Sequence, residues 1–225
     1  MDYTRRAARW LLGATAHPGG EDLTRHLLAR LDLPVGALVA DVACGDGATL
    51  GLLARAGMLG VGVDVEAKAV ARAVGNGAAA VVGDAHALPL TPGAYDAVLV
   101  ECAVSTFTDP AGALAGAVRL LRPGGRLAMT DVVLRRDLAP PDVTAAVDRL
   151  TSARTAGAYA ALLEGAGLEV VRVEDRAGDA LALCRRLERR LGLVGARKTA
   201  STARACARAV EVGALSYALL VGVRR

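Results

Sequence analysis

The chain has 225 residues, of which 53% are hydrophobic and 3% aromatic, and its formal net charge is +4. This length suits a single domain with a substantial core. The charge is mild and shows no basic block interleaved with aromatic residues, which argues against nucleic acid as a partner. The N-terminal residues lack a long apolar segment and no stretch has the pattern of a membrane span. The sequence therefore predicts a cytoplasmic protein without a membrane partner.

Elements alternate along the chain between strand and helix patterns. Helical spacing is predicted at 4–16, 21–31, 50–57, 68–74, 111–121, within 135–153, and at 156–166, 177–191 and 200–212. Strand patterns are predicted at 38–42, 59–65, 79–82, 95–100, 126–134, 169–173 and 215–223. Strands that alternate with helices predict right-handed crossovers and a parallel, doubly wound sheet. The additional segments 1–30, 135–158 and 177–213 are expected over one end of that sheet.

The chain is organised around residues 38–49, where an apolar strand runs into a turn and a new helix. The strand carries Asp41, and Gly45 and Gly47 follow it before the helical pattern begins. Glycine removes Cβ where a ligand approaches the backbone. The open N–H groups of a helix start favour an anionic ligand group. The stretch therefore predicts a nucleotide-like ligand.

Two further acids, Asp64 and Asp84, stand at or just after the second and third predicted strands. In an open α/β sheet the ligand lies beyond the carboxyl ends of the strands. Asp64 follows Gly45 by nineteen positions, close to the offset of about 20 for an acid that binds ribose hydroxyls. The dinucleotide fingerprint is incomplete because Leu50 stands where its third glycine belongs, and no triphosphate-binding P-loop motif is present.

These motifs, taken in order, resemble the class I S-adenosylmethionine-dependent methyltransferases. The resemblance includes Asp-x-Ala-x-Gly-x-Gly at 41–47, the acid ending the second strand, Gly-Asp-Ala at 83–85, Tyr-Asp-Ala-Val at 95–98 and the Pro-Gly-Gly turn within 120–127. It covers most of residues 36–175. It implies a Rossmann-like α/β fold with a seven-stranded, mostly parallel sheet, helices on both faces and an antiparallel last strand. It also implies one methyltransferase domain over 1–225, with an N-terminal helical lid at 1–30 and a helical insertion at 177–213.

The resemblance implies roles for the loop after the first strand. Gly45 and Gly47 would let the loop approach the methionine part of S-adenosylmethionine. Asp41 would order the loop and reach the cofactor's ammonium group. Ala43 departs from the family pattern, which usually has glycine there, and its methyl group is expected to shift the methionine carboxylate slightly.

The resemblance also implies roles for residues after the other strands. Asp64 would bind the ribose hydroxyls, with Val65 against the adenine. Asp84 would accept a hydrogen bond from the adenine amino group, and the Ala85 N–H would donate to a ring nitrogen. Glu101 would lie beside the methionyl end of the cofactor and the substrate.

The sequence Glu101-Cys102-Ala103-Val104-Ser105 is similar to a small-molecule branch that contains arsenite and ubiquinone/menaquinone methyltransferases. Glu101 and Cys102 are the candidate catalytic residues, since arsenite methyltransferases have a metalloid-binding cysteine at the position of Cys102. The other cysteines, Cys44, Cys184 and Cys206, form no CxxC pair, and 135–168 contain none, so no metal site, disulfide framework or complete three-thiolate site is predicted.

The acceptor itself is left open by the sequence. No histidine is convincingly placed as a general base, since His17 is expected either to line the cofactor entrance or to serve its loop. This mildly favours a soft acceptor: a thiol, a selenol or trivalent arsenic. The alternatives are C- or O-methylation of a quinone-like or natural-product substrate, and a catalytically silent, cofactor-binding regulatory subunit. The expected partner is a small molecule, and the expected state is a monomer or homodimer.

Overall fold

The structure is a computed structural model that describes residues 17–225. Its helices are α1 (Gly20–Leu31), α2 (Ala48–Arg55), α3 (Ala67–Gly75), α4 (Pro110–Leu120), α5 (Pro141–Asp148), α6 (Ala156–Gly165), α7 (Ala177–Leu193) and α8 (Arg197–Glu211). Its strands are β1 (Leu38–Val42), β2 (Leu59–Asp64), β3 (Ala79–Val82), β4 (Tyr95–Glu101), β5 (Leu121–Leu134), β6 (Leu168–Asp175) and β7 (Leu215–Arg224). The helix predicted at 4–16 lies outside the described residues.

The seven strands form one sheet in the order β3-β2-β1-β4-β5-β7-β6. Strands β1 to β5 pair in parallel, and β7 pairs antiparallel with both β5 and β6. This confirms the predicted seven-stranded, mostly parallel sheet with an antiparallel last strand. The strand order reverses between β1 and β4, and ligands of open α/β sheets bind at such a switch point.

Helices cover both faces of the sheet, which explains why its central strands are almost wholly apolar. Side chains alternate between the faces: Val39 and Leu99 belong to one core cluster, and Ala40 and Val98 to the other. The first cluster includes residues of α1, α2, α7 and α8, and the second includes residues of α4 and α6. This packing holds the carboxyl ends of β1 and β4 rigidly beside each other.

Strand β5 begins at Leu121, five positions before its predicted start at residue 126. Tyr95 pairs with Leu121 and Ala97 pairs with Arg126, so the Pro-Gly-Gly segment is looped out within the strand rather than preceding it. Gly124, with φ of 75°, supplies the left-handed conformation that this bulge needs. The sequence correctly predicted a turn at Pro-Gly-Gly. It did not predict that the residues on both sides of this turn pair with β4 and so belong to one strand.

Helices α7 and α8 form a hairpin between β6 and β7. Ala180 of α7 and Ala209 and Val210 of α8 are buried in the same core cluster as Leu27 of α1. The hairpin therefore packs at its base against the sheet face that α1 also covers. No helix within residues 17–225 is long and apolar enough to cross a membrane.

Candidate active site

A cavity of about 550 Å³ opens at the carboxyl ends of the parallel strands. Of the predicted site residues, those that line it are Asp41, Ala43, Gly45, Asp64, Val65, Asp84, Ala85, Glu101 and Cys102. The fold thus brings together residues at the ends of β1, β2 and β4 and in the loops that follow β1, β2, β3 and β4. Gly47 is the one predicted site residue that does not line the cavity.

Asp41 is buried near the end of β1, with a relative exposure of 3%. Its Oδ2 atom has no hydrogen-bond partner. Burial raises the pKa of Asp41 well above its usual range, and the nearby charges of Glu101 and Asp64 raise it further. A buried polar atom without a partner is costly, and a cationic group in the cavity would satisfy it.

The loop after β1 is held by β2. The N–H groups of Ala43 and Cys44 both donate to the Val63 carbonyl oxygen, at 2.7 and 3.1 Å. This places Ala43 at a φ of 63°, in the left-handed region that glycine adopts without penalty. This positive φ explains why the family that the sequence resembles would carry glycine at this position. Gly45 also has positive φ, and the direction of its missing Cβ is open space.

Gly47 allows the close packing of two helices. Its φ is 81°, and a Cβ built on it would lie 2.9 Å from the Cβ of Ala73 in α3. The glycine therefore allows the start of α2 to lie against α3. A close approach between helices leaves the same sequence signature as a close approach to a ligand, so the sequence could not distinguish the two.

The Asp64 carboxylate is oriented by the backbone. Its Oδ2 accepts from the Gly45 N–H and its Oδ1 from the Glu66 N–H, each at 2.8 Å. A carboxylate has about four acceptor sites, so each oxygen retains capacity for a ligand hydroxyl. The neighbouring Val65 side chain is 73% exposed and gives this side of the cavity an apolar surface.

Asp84 and His86 shape the far side of the cavity. Asp84 Oδ1 accepts from the His86 N–H at 2.9 Å and contacts His86 Nδ1 at 2.6 Å. The hydrogen bonds from His86 lower the pKa of Asp84, and the bond to Asp84 raises the pKa of His86. The other ring nitrogen accepts from the Asp109 N–H at 3.3 Å, and the ring meets Phe107 edge-on. His86 therefore ties the loop after β3 to the segment before α4.

Glu101 lies at the end of β4 in a network of polar side chains that the sequence analysis missed. Thr24 Oγ1 of α1 donates to its Oε2 at 2.9 Å, and Thr49 Oγ1 of α2 donates to its Oε1 at 2.9 Å. His17 Nε2 lies 3.6 Å from Oε2, while His17 Nδ1 contacts the Pro18 carbonyl oxygen at 2.8 Å. His17 also lines the cavity and is 3% exposed. His17 therefore lies in the cavity lining, which is one of the two placements that the sequence analysis left open.

Cys102 follows Glu101 in a left-handed conformation, with a φ of 54°. Its N–H donates to the Thr130 carbonyl oxygen at 2.7 Å, which fixes this turn. Burial raises the pKa of the thiol to about 12, and the charge of Asp131 adds to this shift. The thiol is therefore protonated at neutral pH.

Thr151 lines the cavity too, and its buried Oγ1 has no hydrogen-bond partner.

The remaining cysteines do not complete a thiolate site. Cys44 lines the cavity, but burial raises the pKa of its thiol far above the usual range. Cys184 and Cys206 lie on α7 and α8 and are absent from the cavity lining. Within the described range 17–225, no group of three or more His, Cys, Asp or Glu side chains could hold a metal ion.

The strand order and the glycine-containing loop after β1 define the class I methyltransferase architecture. Residues 40–129 match the family described as "Methyltransferase domain". Residues 40–129 of this chain therefore form a methyltransferase domain of this family.

Curated relatives match part of the chain. It is 33% identical over 172 residues to "Methyltransferase GfsG" of Streptomyces halstedii, covering 69% of this chain and 61% of that protein. It is 31% identical over 102 residues to "Demethylmenaquinone methyltransferase" of Corynebacterium glutamicum, covering 45% of this chain and 44% of that one. The chain thus spans less than two thirds of the length of these relatives.

Solved structures share the fold. Phosphoethanolamine N-methyltransferase 2 of Haemonchus contortus, in complex with S-adenosyl-L-methionine, gives a TM-score of 0.86 at 16% identity, covering 99% of this chain and 58% of that one. Geranyl diphosphate C-methyltransferase of Streptomyces coelicolor, in complex with S-adenosyl-L-homocysteine, gives 0.76 at 17% identity, with coverages of 98% and 88%. At these identities the likeness shows the fold alone.

Proposed function

We propose that this protein transfers a methyl group from S-adenosylmethionine to a small-molecule acceptor. The observation that carries this proposal is the buried Asp41, whose Oδ2 faces no partner in a cavity that Asp64 and Glu101 also line. S-adenosylmethionine carries a sulfonium and an ammonium group, so an acidic cavity suits it. Among the described lining residues there is no Lys or Arg.

The remaining contacts fit the parts of this cofactor. Asp41 and the open space beside Gly45 would hold the methionine part. The free acceptor capacity of Asp64 would take the ribose hydroxyls, with Val65 against the adenine. Asp84 and Ala85 would meet the edge of the ring.

When bound, the cofactor supplies a methyl group already activated by the sulfonium. The chain must hold the acceptor atom in line with the methyl–sulfur bond and keep water out. The acceptor's electron pair forms the new bond to the methyl carbon as the carbon–sulfur bond breaks, and a protonated acceptor must then lose its proton to a base.

We infer that the acceptor reacts through oxygen or carbon, as in a natural-product or quinone-like compound. His17 lies at the end of the cavity beside Glu101, and its Nδ1 contacts the Pro18 carbonyl oxygen. Its Nε2, which lies 3.4 Å from Thr24 Oγ1 and 3.6 Å from Glu101 Oε2, is the atom that would take the acceptor's proton. Glu101 would stabilise the imidazolium that forms. The Thr151 hydroxyl, which has no hydrogen-bond partner, would bind a polar group of the acceptor. The scarcity of cations in the lining favours an acceptor without a phosphate group.

A soft acceptor is the second candidate, and Cys102 is the observation that favours it. The thiol lies in the lining of the cavity at the acceptor end. Against this stand its protonated state and the position of Cys184 and Cys206 outside the cavity. Arsenite with a thiol reductant, assayed with Cys102→Ser, separates this candidate from the first.

The first experiment measures cofactor binding by calorimetry with S-adenosylmethionine and S-adenosylhomocysteine. We expect both to bind and Asp64→Ala to weaken both. Lys68→Ala, an exposed change on α3 outside the cavity, is the control and is expected to bind as the wild type does. Equal binding by wild type and Asp64→Ala would refute the assignment of the ribose contact.

The second experiment follows release of S-adenosylhomocysteine with reduced naphthoquinols, hydroxylated natural products and arsenite plus a thiol. Turnover of a quinol or a hydroxylated natural product that His17→Gln slows at least tenfold, with cofactor affinity retained, would support the first candidate. Turnover of arsenite alone, lost in Cys102→Ser, would support the second. Cofactor binding without turnover of any acceptor would instead favour the silent regulatory subunit.

A further inference from the structure

The helical hairpin α7–α8 carries a disproportionate share of the positive charge. Residues 177–213 contain eight Arg and Lys and three Asp and Glu, a net charge of +5, against +4 for the whole chain. The other 188 residues therefore sum to −1. An excess of charge on one element points to an interaction that the compact body of the protein does not make.

This charge is concentrated at the turn between the two helices. We call residues 189–199, Arg-Arg-Leu-Gly-Leu-Val-Gly-Ala-Arg-Lys-Thr, the basic tip. It holds four cations and no acid, and Arg189, Arg197 and Lys198 are exposed. Acids do occur in the body of the hairpin, where Glu188 and Glu211 pair with Arg204 and Arg185. These two ion pairs lie in the body of the hairpin, whereas Arg189, Arg197 and Lys198 of the tip are exposed to solvent.

Aliphatic side chains lie exposed at the centre of the basic tip. Leu193 is 82% exposed and Val194 64% exposed, and the whole stretch 192–195 is open to solvent. The hairpin is anchored at its opposite end, where Ala180, Ala209 and Val210 join the core. Leu193 follows Ala180 by 13 positions in α7, so it lies about 20 Å along the helix from this base at about 1.5 Å per residue.

We propose that the basic tip docks on the surface of an anionic lipid bilayer. A bilayer presents a negative layer over an apolar one, and the tip presents aliphatic side chains flanked on both sides by cations. Nucleic acid offers the negative charge but no apolar layer, and residues 177–213 contain no aromatic side chain to stack on bases. A second copy of the chain would bring like charges together.

This mode of binding differs from membrane spanning. The prediction of no membrane partner came from the lack of an apolar span, but surface docking needs only a few inserted side chains and adjacent cations. The proposal stands independently of the methyl-transfer activity, because no residue of the tip lines the cavity.

The test is co-sedimentation of the full chain with vesicles of phosphatidylcholine, with and without 40% phosphatidylglycerol. We expect binding to the anionic vesicles at low salt and its loss in 0.5 M salt, since screening shortens the reach of surface charge. Arg197→Glu/Lys198→Glu is expected to weaken binding at least tenfold, because each cation near an anionic surface contributes about fivefold. Leu193→Ser/Val194→Ser is expected to weaken it several-fold at unchanged net charge.

The matched control is Lys68→Glu/Arg119→Glu, which makes the same change in net charge at exposed positions on α3 and α4. It is expected to retain at least half of the wild-type binding, and circular dichroism checks that each variant is folded. Equal binding to both kinds of vesicle, or equal loss in the control and tip variants, would overturn the proposal. So would binding of duplex DNA that competes with vesicles and is unaffected by Leu193→Ser/Val194→Ser.

Discussion

Replacing Asp41 by asparagine separates the stability of the ligand-free protein from its affinity for the cofactor. The change keeps the shape of the side chain and removes the charge. In the ligand-free protein the Asp41 carboxylate is buried, its Oδ2 has no partner, and burial and the charges of Glu101 and Asp64 raise its pKa. Asp41→Asn should therefore raise the free energy of unfolding at neutral pH.

The pH dependence follows from the direction of the pKa shift. A carboxyl whose folded pKa is raised favours the folded state below its unfolded pKa of about 3.9, and this contribution is lost as pH rises through the folded value. Asp41→Asn should remove that loss, so the stability of the variant should fall less with pH than that of the wild type.

Cofactor affinity should change in the opposite direction. The variant loses one charge-assisted hydrogen bond to the cofactor's ammonium group, which is worth about 1.5–3 kcal/mol. The dissociation constant of S-adenosylmethionine should therefore rise by about ten- to 150-fold. Because a bound cation favours the ionised carboxylate, binding to the wild type should also release protons where Asp41 is protonated, and this release should be absent in the variant.

The assay combines urea denaturation between pH 5 and 8 with calorimetry in two buffers of different ionisation enthalpy. Asp96→Asn is the matched control, because Asp96 lies outside the cavity lining and accepts from the Leu38 N–H at 2.7 Å. It is expected to destabilise the protein and leave cofactor affinity unchanged. Wild-type affinity in Asp41→Asn, or a loss of stability equal to that of Asp96→Asn, would refute the reasoning.

Three further predictions concern stability and are checked by urea denaturation. Ala43→Gly should stabilise the protein by up to about 1.5 kcal/mol, because relief of about 1–2 kcal/mol at a left-handed φ is offset by about 0.4–1 kcal/mol of chain entropy. A loss of stability as large as that of Ala40→Gly in β1 would contradict this reasoning. Gly62→Ala should destabilise by about 1–3 kcal/mol, because its Cβ would lie 2.6 Å from Cys44 Sγ, and a neutral result would show that the thiol moves freely. Burial raises the pKa of Asp131 to about 6 from 3.8, so stability should fall by on the order of 3 kcal/mol as pH rises from 4 through 6. Asp131→Asn should flatten that fall, and an unchanged slope would assign it to another group.

Much of the cavity lining at the ends of β1 to β3 was predictable because its signals are local. A buried parallel strand is a continuous apolar run, and its end is marked by a polar residue and a turn. Asp41, Asp64 and Asp84 carry this signature, and the fold places all three at one cavity because the carboxyl ends of parallel strands share an edge. The alanine at 43, where the resemblance leads us to expect glycine, was visible in the sequence too. The structure shows that glycine would suit this position because φ is positive there.

The acceptor end depended on contacts between distant parts of the chain. Thr24 donates a hydrogen bond to Glu101, which is 77 positions later in the sequence, and no sequence pattern predicts such a pair. His17 becomes a candidate base only because α1 packs on the sheet and brings the preceding segment to the cavity. Cys102 was found from the sequence, but its protonated state follows from burial beside Asp131.

The sequence by itself determined the alternation of strands and helices, the parallel sheet and the cofactor loop, because each depends on short-range periodicity and turn chemistry. Only the tertiary structure decided that Gly47 packs helices, that His17 meets Glu101, and that residues 192–195 of the basic tip are exposed. Those features depend on which surfaces face each other after folding. The residues in these contacts lie far apart in the sequence, and local sequence patterns do not indicate which distant residues will touch.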